Sequence, residues 1–501
     1  MTSALSIAAF SSLFLVSLLF LFKRKKKAML NLPPGPRPLP VIGNLHQVGE
    51  LLHRSGIEFS KLYGPIVHLR LGSIPSIIVS SPALAKEVLK TQDLNFCDRP
   101  ALLAFARYTY GGLDVGVAQY GDHWRNLRKL LVLELLSAKK LRDFQSLRQK
   151  ETDLMMKHIS KKAAGAGSPV NLSELVVFLI HTFVFRVTFG YKHGGGDGEE
   201  YGKRTRFHEV VEECNVMMGT AFLEDYFPGF GFAIDAVTGL RGRLERNAKE
   251  LDDFFQKVID EHMAAAETRA EGYEEDFVDI MIRLWREGNQ HLSVKIIKGM
   301  LLDMLVAGTD TTAATIVWTM VELARHPLAM KKAQDEVRNL VGDKGVVEAS
   351  DLARLQYLKL VVNESMRLHS QLLIPRQAIS DCKVGGYDVC AKTTLYVNSW
   401  ALARDPESWE KPEAFIPERF VQSSIDYKGT DFQFLPFGAG RRICPGINFG
   451  LSGVELTLAN LLYAFNWELP PGMNTEDIDM GETSGSVTHK KVPLCLVARN
   501  K

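Results

Sequence analysis

The sequence predicts a mainly α-helical protein with small β-sheets, carried behind an N-terminal transmembrane helix. Three observations predict it. Apolar residues recur at helical spacing through most of 84–330; short alternating runs at 66–80 and 384–398 read as strands; and the chain opens on an uncharged apolar stretch long enough to cross a bilayer. The 501 residues show no internal repeat and no second compositional regime, so one large domain is expected beyond the terminus. With 60 Lys+Arg against 58 Asp+Glu, the net charge of +2 excludes a general nucleic-acid binder. Six scattered cysteines without a C-x-x-C pair exclude a disulfide scaffold and point to a reducing compartment.

Residues 4–22 are 19 residues without a charge, about 28 Å of helix at roughly 1.5 Å per residue. Lys23, Arg24, Lys25, Lys26 and Lys27 follow at once and no Lys or Arg precedes the run, so the positive-inside rule leaves the rest of the chain cytosolic. A cleavable signal peptide needs a basic segment before the apolar run and a small-residue cleavage site after it, and neither is present. Residues 1–27 therefore read as a retained single-pass anchor with its basic stop. In 28–40, Pro33, Pro34, Gly35, Pro36, Pro38 and Pro40 forbid helix and make a stiff hinge before a body at 41–501.

Within the body, 66–80 alternates around Gly72-Ser73 as a β-hairpin would. The helical text that follows is broken by a glycine-rich loop at 193–198 and by an aromatic, turn-rich stretch at 226–232. That stretch suits a membrane-resting or pocket-capping loop and, equally, a buried plug. Ser293 is the expected N-cap of a very long helix to Arg325, stopped by Pro327 and apolar around much of its circumference, hence central. A second helix is expected from Ser350-Asp351 to His369. Strand-like text with a Gly385-Gly386 turn occupies 384–398, and a last helix follows Gly446 to about Phe465.

The strongest chemical signal is the stretch 436–446. Gly438 and Gly440 let the backbone turn so that Cys444 stands on a loop. The helix start after it favours a thiolate, and Arg442 is expected to add positive charge. A buried free cysteine remains open on these residues alone. A phosphate loop lacks its third glycine and its Lys-Ser/Thr, and a zinc site lacks its other ligands. Asp310 and Thr311 put a carboxylate and a hydroxyl midway along an apolar helix, costly unless hydrogen-bonded, although a threonine also suits a helix distortion. Glu364 and Arg367 share a helix face at i,i+3, as Trp124 and Arg128 do at i,i+4; either is also an ordinary helix pair.

Taken together these residues resemble one family. F-x-x-G-x-R-x-C-x-G, at Phe437, Gly440, Arg442, Cys444 and Gly446, resembles the haem-thiolate loop of the cytochrome P450 enzymes. So do Ala307-Gly308-Thr309-Asp310-Thr311-Thr312 (its oxygen-activation motif), Glu364, Arg367 and Arg419 (its E-x-x-R and P-E-R-F elements), Trp124 and Arg128 (its W-x-x-x-R helix), and the Pro33–Pro36 hinge. The likeness runs the whole chain in order and is greatest to the plant A-type microsomal members. It implies the P450 fold and Cys444 as the axial metal ligand of haem b, its electron donation favouring O–O cleavage. It implies that Phe437 and the hydrogen-bond donors Trp124, Arg128, Arg442 and Arg376 hold the cofactor, that Thr311 donates to oxygen under activation, and that Asp310 belongs to the proton relay. Glu364, Arg367 and Arg419 then serve folding and haem retention.

The same resemblance implies a monooxygenase on the endoplasmic reticulum membrane with a cytosolic catalytic domain. Electrons come from NADPH through a cytochrome reductase, for which Arg125, Arg128, Lys129, Lys139, Lys140 and Arg142 form a docking patch, if they are not simply a solvated helix face. A pocket lined by 101–116, 217–234, 302–311, 371–375 and 485–489 suits a lipophilic terpenoid, alkaloid, phenylpropanoid or oxime-type molecule. Two readings stand beside it: a same-fold isomerase or dehydratase that needs no O2, and a non-catalytic haem sensor. One departure is notable. Ser370-Gln371 replaces the family's proline-rich stretch and Gln377 a common acid, so this segment is expected to be more mobile and more polar.

Overall fold

A computed structural model describes residues 30–164, 168–190, 201–202, 205–266, 273–370, 374–483, 485 and 487–501. The expected anchor, the 193–198 loop and Gln371 lie outside the described residues. The longer helices, in chain order, are α1 (Leu52–Tyr63), α2 (Asp122–Leu130), α3 (Gln145–Ala163), α4 (Leu172–Phe189), α5 (Arg206–Gly219), α6 (Leu240–Ala265), α7 (Phe277–Arg286), α8 (Val294–Arg325), α9 (Pro327–Val341), α10 (Gln356–Leu368) and α11 (Ile447–Ala464). The strands are β1 (Ile66–Leu71), β2 (Ile74–Val79), β3 (Val170–Asn171), β4 (Arg376–Gln377), β5 (Cys382–Val384), β6 (Tyr387–Val389), β7 (Thr394–Val397), β8 (Phe465–Glu468), β9 (Glu482–Thr483), β10 (His489–Lys490) and β11 (Cys495–Asn500).

Helix α8 has the ends the sequence predicts. The Ser293 hydroxyl accepts from the Ile296 N–H at 3.4 Å, and Pro327 opens α9 at its first position, where a missing N–H costs nothing. Helices α4 and α8 are both apolar and long enough to cross a membrane. They are mostly buried and pack on each other, with α10 and α11 against other faces of α8, so their apolarity is that of a protein core. Helix α10 begins later than expected, at Gln356, because a short 3-10 turn at Leu352–Arg354 takes up the Ser350-Asp351 approach.

The main sheet has the order β1-β2-β7-β4. Its first two strands form the expected hairpin, with Ile66 opposite Val79 and Leu71 opposite Ile74. Strand β7 joins β2 in parallel and β4 closes on β7 antiparallel, Arg376 facing Leu395. The strand-like text at 384–398 is thus three strands: Gly385-Gly386 turns β5 back as β6, and β7 leaves for another sheet. A second apolar core, including Ile77, Val79, Phe96, Leu395 and Leu402, lies with this sheet. The hinge is more than a spacer. Its described part lies on the body: the His68 N–H donates to Pro34 O at 2.9 Å, and a side-chain carbon at Gly35 would stand 2.0 Å from His68 O. In the aromatic stretch Phe227 is buried, whereas Phe230 and Phe232 are 47% and 52% exposed, so it is not simply an interior plug.

Candidate active site

Cys444 is set by backbone. Its N–H donates to Phe437 O at 3.0 Å, closing the loop, and the Gly446 N–H donates to the sulfur. Gly440 has φ +69°, and a side-chain carbon there would meet Leu89 O at 2.3 Å, so only glycine lets the loop seat on the distant helical turn Glu87–Thr91. Burial pushes the Cys444 thiol up from its ordinary value; the Gly446 N–H and the Arg128 charge oppose this and do not win. The thiolate expected from the helix start is therefore not favoured by the protein alone. It needs a cation at the sulfur, as an iron ligand does. The sequence also set Arg442 beside the sulfur, and the structure corrects this. Arg128 is the charge that acts on Cys444, its guanidinium donating to Ile443 O, while Arg442 turns away.

The residues expected to hold the cofactor's acidic edge do converge. Arg442 donates to the carbonyls of Cys97 (2.9 Å), Val115 (3.3 Å) and Ala118 (2.5 Å) and lies over the Trp124 ring at 4.4 Å. Trp124 Nε1 donates to the same Val115 carbonyl at 3.0 Å. Arg376 binds Asp93 at 3.1 Å and Ala439 O at 2.8 Å. Sequence reasoning missed a further member, Arg99, buried and donating to Gly116 O and Pro375 O. Burial, then the charges of Arg376 and Arg442, hold Arg99 well below the usual arginine range. Burial and Arg376 push Arg442 down to about 10.

Three buried guanidiniums thus lie together, the charge of Arg376 depressing both Arg99 and Arg442, while they donate mainly to carbonyls, and the carboxylate of Asp93 is shared with Arg441. That positive surplus is what two propionates would relieve, and a cysteine sulfur is what iron would take. The donor set fits haem. On α10, Glu364 accepts two bonds from Arg367 (both 2.8 Å) and one from Arg419 (2.9 Å), with Glu364 and Arg367 wholly buried. The pair is a core network and not a surface one.

Helix α11, which follows the cysteine loop, approaches α8 at Thr312: side-chain carbons at Gly450 and Gly453 would stand 3.6 and 3.7 Å from it. Ala307 is exposed despite lying mid-helix, and Thr311 Oγ1 donates back to Ala307 O at 2.6 Å. Asp310 is held by other elements: Asn215 Nδ2 of α5 at 2.7 Å, His181 Nε2 of α4 at 3.4 Å and His489 Nε2 of β10 at 3.5 Å. Burial opposes its charge, but the hydrogen bonds and charges of the two histidines outweigh that and hold the carboxyl well below the usual range.

Beside it lies a cavity of about 630 Å³ lined by Phe178, His181, His208, Asn215, Asp310 and His489 among others. Three expected pocket segments reach this cavity; 101–116 and the described part of 371–375 do not. His181 and Asn215 were not singled out in the sequence, because nothing local marks a side chain whose partner is 95 or more residues away.

The model of one family, Cytochrome P450, matches residues 33–496. Among curated proteins, Cytochrome P450 71A1 of Persea americana is 47% identical over 91% of both chains. Strychnine-11-hydroxylase of Strychnos nux-vomica is 45% identical over 99% of this chain and 98% of its own, and costunolide synthase of Cichorium intybus is 42% identical over 96% of both. A family model spanning residues 33–496 and relatives matched along nine-tenths or more of both chains leave one assignment: the chain belongs to the cytochrome P450 family and is a monooxygenase like the plant members of it.

Proposed function

We propose that this enzyme inserts one atom of O2 into a lipophilic small molecule of plant specialised metabolism, of terpenoid, alkaloid, phenylpropanoid or oxime type. In this reading the electrons come from NADPH through a cytochrome reductase in the same endoplasmic reticulum membrane. Residues 1–27 anchor the chain there, 28–40 are the hinge and 41–501 the cytosolic catalytic domain. The names of two relatives, a hydroxylase of strychnine and a synthase of costunolide, support an oxidation of this kind.

Haem, when bound, supplies O2 activation, with thiolate donation favouring O–O cleavage. The chain's own residues do the rest. Cys444 would hold the iron. Trp124, Arg128, Arg376 and Arg442, with Phe437 beside the loop, would seat the porphyrin, and Arg99 would add to their positive field. Asp310, kept ionised, accepts protons from the histidine side, and Thr311 presents a hydroxyl from the same turn.

The single observation that carries the reading is the Asp310–Thr311 step. Its carboxylate is tied by two histidines to a cavity on one side, and its hydroxyl lies next to the bare strip of α8 at Ala307. Reduction of one oxygen atom to water consumes protons at every turnover, which such a route can deliver, whereas an isomerisation without O2 consumes none. The test is turnover of the full chain with reductase and NADPH under labelled O2 across a panel of lipophilic substrates. One labelled oxygen in the product is expected. Conversion that persists without O2 or NADPH would replace this reading with the isomerase.

A further inference from the structure

A pair of buried acids lies outside everything used so far. Asp303 stands on α8, two turns before Thr311, and Asp114 stands on the segment 113–118 that runs beside it. Asp303 Oδ2 accepts from the N–H groups of Val115 (2.7 Å) and Gly116 (3.3 Å), and Asp114 Oδ2 from that of Val117 (3.0 Å). The two carboxyls face each other: a side-chain carbon at Gly116 would stand 2.9 Å from Asp303 Oδ1 and 3.3 Å from Asp114 Oδ2. The remaining oxygen of Asp114 is buried and has no hydrogen-bond partner. Carboxyls so placed cannot both be charged; one keeps a proton and gives it to the other.

The same segment is held from its opposite edge. Val115 O accepts from Trp124 and Arg442, Gly116 O from Arg99, and Ala118 O from Arg442. The N–H groups of Val115 and Gly116 are thus bound to α8 and the carbonyls of Val115, Gly116 and Ala118 to the arginine cluster, making the segment a strap between the two halves of the site.

We infer that Asp114 and Asp303 are a proton-sharing latch, a positioning pair that holds the 113–118 strap on α8 and loosens it when the shared proton leaves. The cations that face the pair from the strap's other side are Arg442 and Arg99, and both are committed to backbone carbonyls. On α8, the cation Lys298 is bound to Asp252 and is not available to neutralise the pair, and the anion Asp310 is held by its histidines. Burial and then the Asp114 charge raise the Asp303 carboxyl well above its usual range. The closed strap therefore binds a proton that the open one releases. Closure is full at low pH and weakens as pH rises toward the raised value.

The test is backbone hydrogen exchange of the peptide spanning 109–120 in the full-length, haem-loaded protein, read as protection factors from about pH 5 to pH 8. Protection of Val115–Val117 is expected to fall by about tenfold or more as the proton is lost. Asp303→Asn keeps an oxygen for the two N–H groups and an amide to donate to Asp114, so its protection should stay high and flat across the range. Asp303→Leu should lose protection at every pH. The reduced carbon monoxide spectrum reports whether each variant is folded, and Asp114→Asn serves in place of Asp303→Asn if that variant is not. Wild-type protection that is indifferent to pH, or an amide variant that follows the wild-type slope, would overturn the latch. Either result leaves the assignment of the reaction untouched, because exchange is read without substrate.

Discussion

At Cys444, burial favours the neutral thiol, and only the Gly446 N–H and Arg128 pull toward the anion. A serine there keeps the backbone loop and loses the soft anion, so Cys444→Ser should abolish the thiolate-type red shift of the Soret band in the reduced carbon monoxide complex. An unchanged band would remove Cys444 as the ligand. Thr311 already spends its hydroxyl on Ala307 O and must share it to serve oxygen. Thr311→Ala should therefore release several-fold more peroxide per NADPH consumed, measured with any substrate that turns over; unchanged coupling would take it out of the relay. The placement of Cys444 on a backbone-closed loop, and of Asp310 and Thr311 midway along α8, was legible because motif spacing fixes it. The direction of Arg442 was not. Its partners, the carbonyls of Cys97, Val115 and Ala118, lie more than 300 residues away in sequence, and a local reading puts charge wherever the chain is near.

Among the elements, α10 shows what a buried charge demands. Arg367 donates to Glu364 in bidentate fashion and to the carbonyls of Ala403 and Pro412 (both 2.7 Å), so its removal orphans a carboxylate and several acceptors at once. Breaking one partner of such a pair costs about 3–5 kcal/mol. Arg367→Leu should yield little haem-loaded protein, and Arg367→Lys should not rescue it, because one ammonium cannot reproduce the fork. The ratio of haem to protein and the thermal midpoint check this; a lysine variant with wild-type values would show that geometry is unimportant there. Element ends were readable where one residue type dictates them, as at Ser293 and Pro327 for α8. Sheet membership was not readable. The Gly385-Gly386 turn of 384–398 stands where the sequence puts it, with positive φ at both residues, but nothing in the run marks that β7 parts from β5 and β6 and joins another sheet.

For the molecule as a whole, the question is how near the expected anchor the body's contacts come. Among the described residues they begin at Asn31, whose N–H donates to Asp388 at 2.8 Å, and continue through Pro34 to His68 and through Pro36 to Asn44 (3.1 Å). None of this was legible in a proline-rich stretch, because the need for glycine at Gly35 arises only once β1 lies across it. Removing residues 1–29 should therefore leave the reduced carbon monoxide spectrum and the thermal midpoint unchanged. Removing 1–40 should lower stability by about 1–3 kcal/mol, through the lost hydrogen bonds and the burial of Pro33 and Pro36. The two truncations also separate anchoring from surface adhesion. Phe230, Phe232 and Val237 are exposed and remain in both; a bilayer hold through such a patch is reversible, whereas a membrane-spanning anchor of the kind expected at 4–22 resists extraction by salt or carbonate. The full chain should stay in the membrane pellet after such a wash and the form lacking 1–29 should be released from it. A truncated protein that stays in the pellet would transfer the membrane attachment from the terminus to the body.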